Sequence, residues 1–324
     1  MTDLRVVGSD LRPPREERRH LLSISDLTRG DVDRLLATAQ SFAHSQERDN
    51  KKLPTLRGRL VLNVFYESST RTSSSFELAA KRLSADTMTL KAVGSSVDKG
   101  ESLKDTALTL SAYDPDVIVL RHPQAGAAQF VAGATDARIV NAGDGKHQHP
   151  TQALLDLYTM REAFGHLDGL HVAIVGDVSH SRVARSLVQA LGLVGASVIL
   201  VGPPTLLPAG LAPCTSDIGA VSEADVVYVL RMQQERMLPG ANFVPSLREY
   251  AARWGITPQR VHDGQRVMHP GPMNRGVEID ARVADSDASL VADQVRSGLV
   301  VRMAVLYDLL TTGPVAVEAA VGVA

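Results

Sequence analysis

Residues 60–83 read LVLNVFYESSTRTSSSFELAAKRL, a short apolar run that leads at once into a longer amphipathic one. The segment Leu60–Tyr66 is rich in Val and Leu without polar alternation, which is typical of a strand buried on both faces. The segment Thr72–Leu83 has the character of a helix. A strand that feeds directly into a helix indicates an α/β domain with a parallel sheet.

The same alternation continues along the chain. Further strands are expected at Asp86–Leu90, Asp116–Leu120, Ala137–Asn141, His171–Val175, Ala196–Val201, Asp225–Leu230 and Arg266–Met268. Helices are expected at about Ser102–Ala112, Pro150–Phe164, Arg182–Leu191, Pro245–Trp254 and Ser289–Leu310. This number of strands suits either one closed barrel or two open sheets of about four strands each.

We favour two sheets, because the polar, glycine-rich stretch NAGDGKHQHP at residues 141–150 interrupts the pattern before a long helix. The fold class is therefore α/β, with two domains, each an open and mainly parallel sheet flanked by helices. We expect a flexible N-terminal extension at residues 1–20, a first domain over residues 21–150 and a second over residues 151–288. A C-terminal helix at about residues 289–312 is expected to return to the first domain.

Composition excludes several classes of function. Lys and Arg number 34 and Asp and Glu 36, so a net charge of −2 gives no basis for binding nucleic acid through overall charge. The single cysteine, Cys214, excludes an internal disulfide. The uncharged stretch Ser186–Ser216 is divided by glycines and prolines and does not suit a membrane span, and residues 1–20 lack the apolar core of a signal peptide. We expect a soluble, cytoplasmic protein.

The hexapeptide ESSTRT at residues 67–72 follows the first strand and opens the first helix. Free backbone N–H groups and the dipole at a helix start favour an anion, and Arg71 adds a guanidinium that grips an oxyanion at two points. One hydroxyl would suffice to cap the helix. The hydroxyls of Ser68, Ser69, Thr70 and Thr72 around one arginine exceed that need, so the motif predicts an anion site.

Other polar or basic motifs follow predicted strands or open predicted helices. They are GSSVDKGES (94–102), RHP (121–123), HQHPTQ (147–152), GDVSHSR (176–182), LRMQQER (230–236) and HPGP (269–272). Taken singly, most also suit a solvated loop, a surface arginine or a structural turn. Together with Arg71, they provide a set of positively charged side chains that no comparable run of acids balances: Lys99, Arg121, Arg182 and Arg231. The set predicts a substrate with several negative charges.

Cofactor chemistry finds little support in these motifs. Gly176 stands alone where a dinucleotide site needs G-x-G-x-x-G, and the pair His147-x-His149 lacks the further ligands of a strong metal site. Cys214 lies in a proline-rich loop with no nucleophile motif around it. Neutral His149, with Gln152 one turn later, suits hydrogen bonding to a small carbonyl compound. We expect no cofactor and no metal. The turn at Gly271–Pro272 suits a cis peptide bond.

In their order along the chain, SSTRT, SSVDKGES, RHP, HPTQ, GDVSHSRVARS, LRMQQER and HPGPMNRGVEI resemble the motifs of the aspartate/ornithine carbamoyltransferase family, and most closely its aspartate-specific catalytic chains. The resemblance runs from about Leu21 to Leu310. It implies a carbamoyl-phosphate-binding first domain, an aspartate-binding second domain and an active site in the cleft between them. Ser73 departs from the family motif, which usually has arginine there.

The resemblance implies that the carbamoyl group of carbamoyl phosphate is transferred to the α-amine of L-aspartate, an early step of de novo pyrimidine biosynthesis. The residues that it assigns to the phosphate are Ser69, Thr70, Arg71 and Thr72. Those assigned to the carbonyl oxygen are Thr72, Arg121 and His149. Those assigned to the amide are Gln152 and the main-chain carbonyls of the turn Pro270, Gly271 and Pro272. Those assigned to aspartate are Arg182, Arg231, Gln233 and Lys99. Lys99 is also expected to contact carbamoyl phosphate. Ser95 and Arg236 are further candidates.

The resemblance also implies a homotrimer in which the loop Ser95–Lys99 enters the active site of a neighbouring chain. It leaves open whether a regulatory chain or a dihydroorotase partner binds. One alternative is a carbamoyltransferase for ornithine or another amine, although Arg231 would repel a second amine. Another is a non-catalytic paralogue that serves as a scaffold, which would have no use for the intact set around Arg71 and His149.

Overall fold

The computed structural model of the protein describes residues 19–91, 100–233, 244 and 246–311. These residues form two open parallel sheets, which confirms the expected fold class and excludes the barrel. The strands of the first sheet are β1 (Leu60–Phe65), β2 (Asp86–Lys91), β3 (Val117–His122) and β4 (Arg138–Asp144), in the order β2-β1-β3-β4. The strands of the second are β5 (His171–Val175), β6 (Ser197–Val201), β7 (Cys214–Thr215), β8 (Val226–Val229) and β9 (Arg266–Met268), in the order β7-β6-β5-β8-β9.

Helices cover both sheets. They are α1 (Arg29–Gln46), α2 (Thr70–Arg82), α3 (Leu103–Ser111), α4 (Ala127–Ala134), α5 (Pro150–Phe164), α6 (Arg182–Leu193), α7 (Leu247–Trp254), the single turn α8 (Ala281–Ala284) and α9 (Val291–Leu310). Helix α9 packs against α1, α2 and α5, so the end of the described chain returns to the elements of the first sheet.

Strand β1 shows why its apolar run has no polar alternation. Successive side chains of a strand point to opposite faces of the sheet. Val61 and Phe65 belong to the apolar cluster that includes Phe76 of α2, whereas Leu62 and Val64 belong to a separate cluster with residues of α3 and α4. Both faces of β1 are therefore buried, and both need apolar residues.

The order of the strands creates one topological switch point in each sheet. The chain leaves β1 toward β2 on one side and returns to β3 on the other, and it does the same around β5 and β8. Loops on either side of such a point diverge, which leaves a crevice at the carboxyl ends of the strands where ligands bind in open α/β sheets. The switch points therefore lie where ESSTRT and RHP follow β1 and β3, and where GDVSHSR and LRMQQER follow β5 and β8.

All eight predicted strands are present, with small shifts at their ends. Strand β4 continues to Asp144, three residues beyond its predicted end at Asn141, because Asn141 and Asp144 bond each other at 2.8 Å and satisfy their buried polar groups locally. The helices α1 and α4, the single turn α8 and the two-residue strand β7 were not predicted. Helix α2 begins at Thr70, two residues earlier than expected.

Several predictions fall partly outside the described residues. Of the predicted N-terminal extension, only Arg19 and His20 are described: Arg19 lies 3.0 Å from Asp31, and the His20 ring accepts a hydrogen bond from the Ile139 amide at 3.0 Å. Ser95, Lys99 and Arg236 lie outside the described ranges. None of the helices within those ranges combines the length and the apolar character that crossing a lipid bilayer requires.

Candidate active site

A cavity of about 850 Å³ lies between the two sheets, at the carboxyl ends of their strands. Every predicted site residue within the described part of the chain lines it. From the first sheet and its loops these are Ser69, Thr70, Arg71, Thr72 and Arg121, and from the elements that follow they are His149, Gln152, Arg182, Arg231, Gln233, Pro270, Gly271 and Pro272. The cavity therefore joins the two switch points into one site.

The amino end of α2 has the features of an anion site. Ser69 occupies the N-cap position, but its side chain makes no capping hydrogen bond within the described chain. Its hydroxyl instead accepts a hydrogen bond from Arg121 Nη1 at 3.0 Å. The first N–H groups of a helix have no partner within the helix, and Ser69, Thr70 and Arg71 line the cavity at this helix end. Ser69 therefore does not cap α2 through its side chain.

Arg71 lies against the turn that follows β9. A methyl group placed on Gly271 would come within 2.5 Å of the Arg71 guanidinium carbon, and Gly271 has a φ of +64°, so only glycine leaves room for this approach. The Gly271–Pro272 peptide bond is cis, which confirms the prediction for this turn. Desolvation and, second, the nearby charge of Arg231 lower the pKa of Arg71. The like charges of Arg71 and Arg231 thus face one cavity, where a bound anion would relieve their repulsion.

Glu67 joins the two switch points. Its Oε2 accepts hydrogen bonds from Arg121 Nε at 3.2 Å and from Arg182 Nη2 at 2.6 Å. Arg121 is the last residue but one of β3 in the first sheet, whereas Arg182 opens α6 after the first strand of the second sheet. One carboxylate therefore sets the positions of two guanidinium groups from opposite sides of the cleft.

Arg182 is held on its other side by the loop after β4. Its side chain is only 3% exposed, and its Nη1 donates to the carbonyl of Gly145 at 3.1 Å. Gly143 lies directly beneath it with a φ of +117°, and a Cβ there would lie 2.8 Å from Arg182 Nε. The glycines of the NAGDG stretch thus provide the close approach that seats this arginine.

His149 and Gln152 open α5. The His149 amide donates to Ser186 Oγ at 2.8 Å, which anchors the start of α5 to α6. Gln152 is in the first turn, and its Nε2 donates to Asp156 Oδ1 at 3.0 Å. Proline at the first helical position, Pro150, suits this helix start. Both side chains line the cavity from buried positions.

The turn after β9 is fixed by His269. Its Nδ1 accepts a hydrogen bond from the Gly271 amide at 2.8 Å, and its Nε2 lies 3.3 Å from Glu278 Oε1. An imidazole that accepts at Nδ1 carries its proton at Nε2, so the neutral ring donates to Glu278. Burial lowers the pKa of His269 and favours that neutral form. The carbonyls of Pro270 and Gly271 are thereby held at the edge of the cavity.

The pair His147-x-His149 is the part of the sequence that comes nearest to a metal-binding motif. His147 Nδ1 lies 3.1 Å from Asp144 Oδ2, an ordinary contact within one turn of loop. Across the residues that the structure describes, no group of three or more His, Cys, Asp and Glu side chains has an arrangement that could hold a metal ion.

Sequence reasoning missed four residues of the site or its surroundings. Glu67 belongs to the ESSTRT motif but received no role, although an acid among predicted cations is a signal. Asp156 and Gln294 lie behind Gln152, and nothing in their local sequence marks them. Arg302 of α9 lines the cavity over the ring of Phe76, with its guanidinium carbon 5.2 Å from the ring centre. Burial lowers the pKa of Arg302 to about 10.

Comparison with known proteins gives two family matches. Residues 19–162 match the aspartate/ornithine carbamoyltransferase carbamoyl-P binding domain, and residues 168–309 match the Asp/Orn binding domain of the same family. The chain is 56% identical over 303 residues to the aspartate carbamoyltransferase catalytic subunit of Acidothermus cellulolyticus, covering 91% of this chain and 93% of that one.

Solved structures agree with this match. The fold is similar to that of aspartate transcarbamoylase from Trypanosoma cruzi in complex with N-(phosphonacetyl)-L-aspartic acid, with a TM-score of 0.83, 30% identity and coverage of 92% and 98% of the two chains. The same enzyme in complex with carbamoyl phosphate and aspartate gives a TM-score of 0.81 at 30% identity, with the same coverage. The sequence motifs, the two switch points and these matches agree, and the chain belongs to the aspartate/ornithine carbamoyltransferase family.

Proposed function

We propose that this chain transfers the carbamoyl group of carbamoyl phosphate to the α-amine of L-aspartate, which yields N-carbamoyl-L-aspartate and phosphate. The observation that carries the proposal is the convergence of Arg71, Arg121, Arg182 and Arg231 on one cavity at two switch points. Two anionic substrates repel each other in water, and a cationic cleft overcomes that repulsion while it orients them. The relatives named above carry this activity in their names. The reaction is an early step of de novo pyrimidine biosynthesis.

Carbamoyl phosphate would bind at the first switch point. Ser69, Thr70, Arg71 and Thr72 hold its phosphate at the amino end of α2, where free N–H groups and the helix dipole favour an anion. Arg121, His149 and Thr72 donate to the carbonyl oxygen. The amide of carbamoyl phosphate donates to Gln152 and to the carbonyls of Pro270 and Gly271, in the turn that Pro272 completes. The side-chain and main-chain positions in the cavity support this division.

L-Aspartate would bind at the second switch point. Arg182 holds its α-carboxylate, and Arg231 and Gln233 hold its β-carboxylate. The backbone N–H of Gln233 donates to Asp177 Oδ2 at 3.4 Å, and His180 Nδ1 lies 2.7 Å from Asp177 Oδ1. These contacts connect the loops that follow β5 and β8. Lys99 contacts both substrates in this proposal, with Ser95 and Arg236 as further candidates. These three stay predictions from the sequence.

The chemistry requires no cofactor, because carbamoyl phosphate is already activated. The amine nitrogen of aspartate attacks the carbonyl carbon and a C–N bond forms. Arg121, His149 and Thr72 stabilise the negative charge that develops on the oxygen. The C–O bond to phosphate then breaks, Arg71 stabilises the departing phosphate, and the phosphate takes up the proton of the amine. Fixed donors and cations thus act where charge grows.

The alternatives from the sequence fit this cavity less well. Ornithine carries an amine where aspartate has its second carboxylate, and the charges of Arg231 and Arg71 would oppose it. A scaffold would gain nothing from cations that repel one another across a cavity, since such a set costs stability without a bound anion. Aspartate is therefore the proposed acceptor.

We retain the domain limits and the assembly as proposals. Residues 21–150, completed by the C-terminal helix at about 289–312, would form the carbamoyl-phosphate domain, and residues 151–288 the aspartate domain. The packing of α9 on α1 and α2 supports the proposal that the C-terminal helix completes the carbamoyl-phosphate domain. Exposed apolar side chains at the cavity rim, Leu78 at 41% and Val295 at 57%, support a homotrimer in which a second copy covers this rim. Binding of a regulatory chain or a dihydroorotase, and the cytoplasmic location, stay predictions.

The direct experiment is a colorimetric assay for carbamoylated product with purified chain, carbamoyl phosphate and either L-aspartate or L-ornithine. We expect product with aspartate and none above background with ornithine. A His149→Ala variant serves as the control for uncatalysed carbamoylation. Product with ornithine but not with aspartate would contradict the proposed function. So would equal amounts of product from the wild type and His149→Ala.

A further inference from the structure

A fully buried carboxylate lies directly behind Gln152. Asp156 is one turn further along α5, and each of its oxygens accepts hydrogen bonds. Oδ1 accepts from Gln152 Nε2 at 3.0 Å and from Gln294 Nε2 at 2.7 Å, and Oδ2 accepts from the Tyr228 hydroxyl at 2.7 Å. These contacts come from α5, α9 and β8, and all three are donors. Such an environment suits an ionised carboxylate, which only accepts, and this is the form of Asp156 above its raised pKa of about 7.

The side-chain oxygen of Gln294 contacts the residue that begins the turn after β9. Its Oε1 accepts a hydrogen bond from the His269 amide at 2.9 Å. A continuous buried chain of hydrogen bonds therefore runs from Gln152 through Asp156 and Gln294 to His269. It connects two groups of residues that line the same cavity, Gln152 on α5 and Pro270 and Gly271 in the turn after β9, whose oxygens are the proposed acceptors.

This chain fixes the orientation of the Gln152 amide. An amide presents one oxygen that accepts and one nitrogen that donates. Because the nitrogen of Gln152 is bound to Asp156, its oxygen is the atom left for the cavity. The reversed orientation would place an amide oxygen against a carboxylate oxygen and leave buried acceptors without a donor, which is unfavourable. The same reasoning holds for Gln294, because its side-chain oxygen accepts the hydrogen bond of the His269 backbone N–H.

We propose that Asp156 and Gln294 are positioning residues that fix a set of acceptors for the NH₂ group of carbamoyl phosphate, and that they thereby select this group against a methyl group of the same shape. The inference rests on the proposed function and adds the source of its selectivity. A methyl group would fill the same space but would leave the fixed acceptors unpaired in a buried site. A site built to bind N–H groups rejects an analogue that lacks them, whereas a merely apolar site cannot distinguish them strongly.

A matched pair of stable ligands tests this selectivity without turnover. Phosphonoacetamide carries the NH₂ group, and 2-oxopropylphosphonate carries a methyl group in its place, with all other atoms equivalent. Calorimetry on the wild-type protein is expected to show tighter binding of the amide by roughly 10-fold or more. In Asp156→Leu, measured like the wild type at pH 8, a side chain of similar shape offers no acceptor to fix the Gln152 amide, and we expect the preference to fall to within about 3-fold.

Tyr228→Phe is the matched control. It removes the donor to Oδ2 but leaves Gln152 and Gln294 bound to Oδ1, so we expect lower thermal stability and the full preference for the amide. Gln294→Met gives a second route if Asp156→Leu does not fold: it leaves Gln152 on Asp156 but releases the His269 amide, so the preference should fall in part. Loss of the preference in Tyr228→Phe to the same extent as in Asp156→Leu, or its full retention in Asp156→Leu or Gln294→Met, would overturn the inference. A wild type that binds neither ligand would overturn the proposed function, and this inference with it.

Discussion

Glu67 Oε2 lies 2.6 Å from Arg182 Nη2, and this contact crosses the cleft between the two sheets. Glu67 follows the first strand of the first sheet, and Arg182 opens the helix after the first strand of the second. The same oxygen also receives Arg121 Nε at 3.2 Å. Two cations that would serve different substrates are thus held by one carboxylate, so the arrangement of the aspartate side depends on a residue of the carbamoyl-phosphate side.

We expect Glu67→Gln to reduce aspartate use more than carbamoyl phosphate binding. Glutamine keeps the shape but lacks the charge that holds both guanidinium groups, and a charge-assisted hydrogen bond is about twice as strong as a neutral one. Arg182 would lose its strongest partner across the cleft, whereas Arg121 keeps Ser69. Steady-state kinetics should show a rise of about 10-fold in KM for aspartate. An unchanged KM for aspartate would mean that Glu67 does not position Arg182.

Arg71→Ala should abolish measurable turnover while the fold survives. Arg71 stabilises the departing phosphate, whose charge grows in the transition state, so the loss should appear mainly in kcat. Removal of one such donor typically costs about 10²–10³-fold in rate. Thermal stability should not fall, because the substitution removes the repulsion between Arg71 and Arg231.

Arg29→Ala is a suitable control for this substitution. Among the described residues, Arg29 pairs with Asp33 alone, one turn along the exposed face of α1, and it does not line the cavity. Its loss should leave kcat unchanged. An Arg71→Ala enzyme within a few-fold of the wild type would remove the phosphate assignment.

Arg231→Ala should weaken aspartate binding far more than carbamoyl phosphate binding. Arg231 follows β8 at the second switch point, where the amino acid is proposed to bind. Isothermal calorimetry with carbamoyl phosphate alone, and then with an aspartate analogue such as succinate in its presence, separates the two effects. Equal weakening of both ligands would contradict the division of the site between the two sheets.

The buried carboxylate of Asp156 should make stability depend on pH. Burial raises the pKa of Asp156 to about 7, against the opposing hydrogen bonds of Gln294, Tyr228 and Gln152 and the charge of Arg302. In the unfolded chain this carboxyl ionises near its ordinary pKa of 3.8. A group whose pKa is higher in the folded state stabilises the fold at low pH, and that contribution disappears as pH rises toward 7.

Urea unfolding of the wild type and Asp156→Asn at pH 5 and pH 8 measures this contribution. The free energy of unfolding of the wild type should fall relative to the variant by roughly 2–3 kcal/mol between the two pH values. A constant difference between the two proteins would show that Asp156 does not change protonation across this range.

Much of the fold could be predicted because strands buried on both faces leave a strong local pattern. In β1, Val61 and Leu62 face different clusters, and both clusters demand apolar residues. Helix α1 was missed although Thr28 and Asp31 form a capping box, because it precedes the first strand and breaks the strand–helix alternation. Strand β7 has only two residues, too few to show a period, and it exists through pairing with β6.

Arg71, Arg121, Arg182 and Arg231 were predictable for a similar reason, since each lies at the end of a strand or the start of a helix, whereas Arg302 in the middle of α9 was not. Their partners were not. Asp156 and Gln294 are 138 residues apart, and only the packing of α9 on α5 brings them together. The choice of Glu67 as the partner of Arg182 likewise depends on how two sheets face each other, which no local pattern records.

The last prediction concerns assembly, which follows from the proposed role of Lys99. If the loop Ser95–Lys99 enters the active site of a neighbouring chain, each site needs Lys99 from one chain and His149 from another. Lys99→Ala and His149→Ala should each be nearly inactive alone. In a trimer the contact is heterologous and closes after three copies, so each chain gives its loop to one neighbour and receives one from the other.

Mixing the two variants under conditions that exchange subunits should therefore restore activity. With equal amounts and random exchange, about a quarter of the sites combine an intact His149 with an intact Lys99 from the neighbour, and activity should approach about a quarter of the wild-type value. The same mixture without exchange is the control and should stay inactive. Native mass spectrometry verifies that hybrid trimers have formed. If hybrids are present and no activity returns, Lys99 serves the active site of its own chain or none, and the shared site is wrong even if the protein is a trimer.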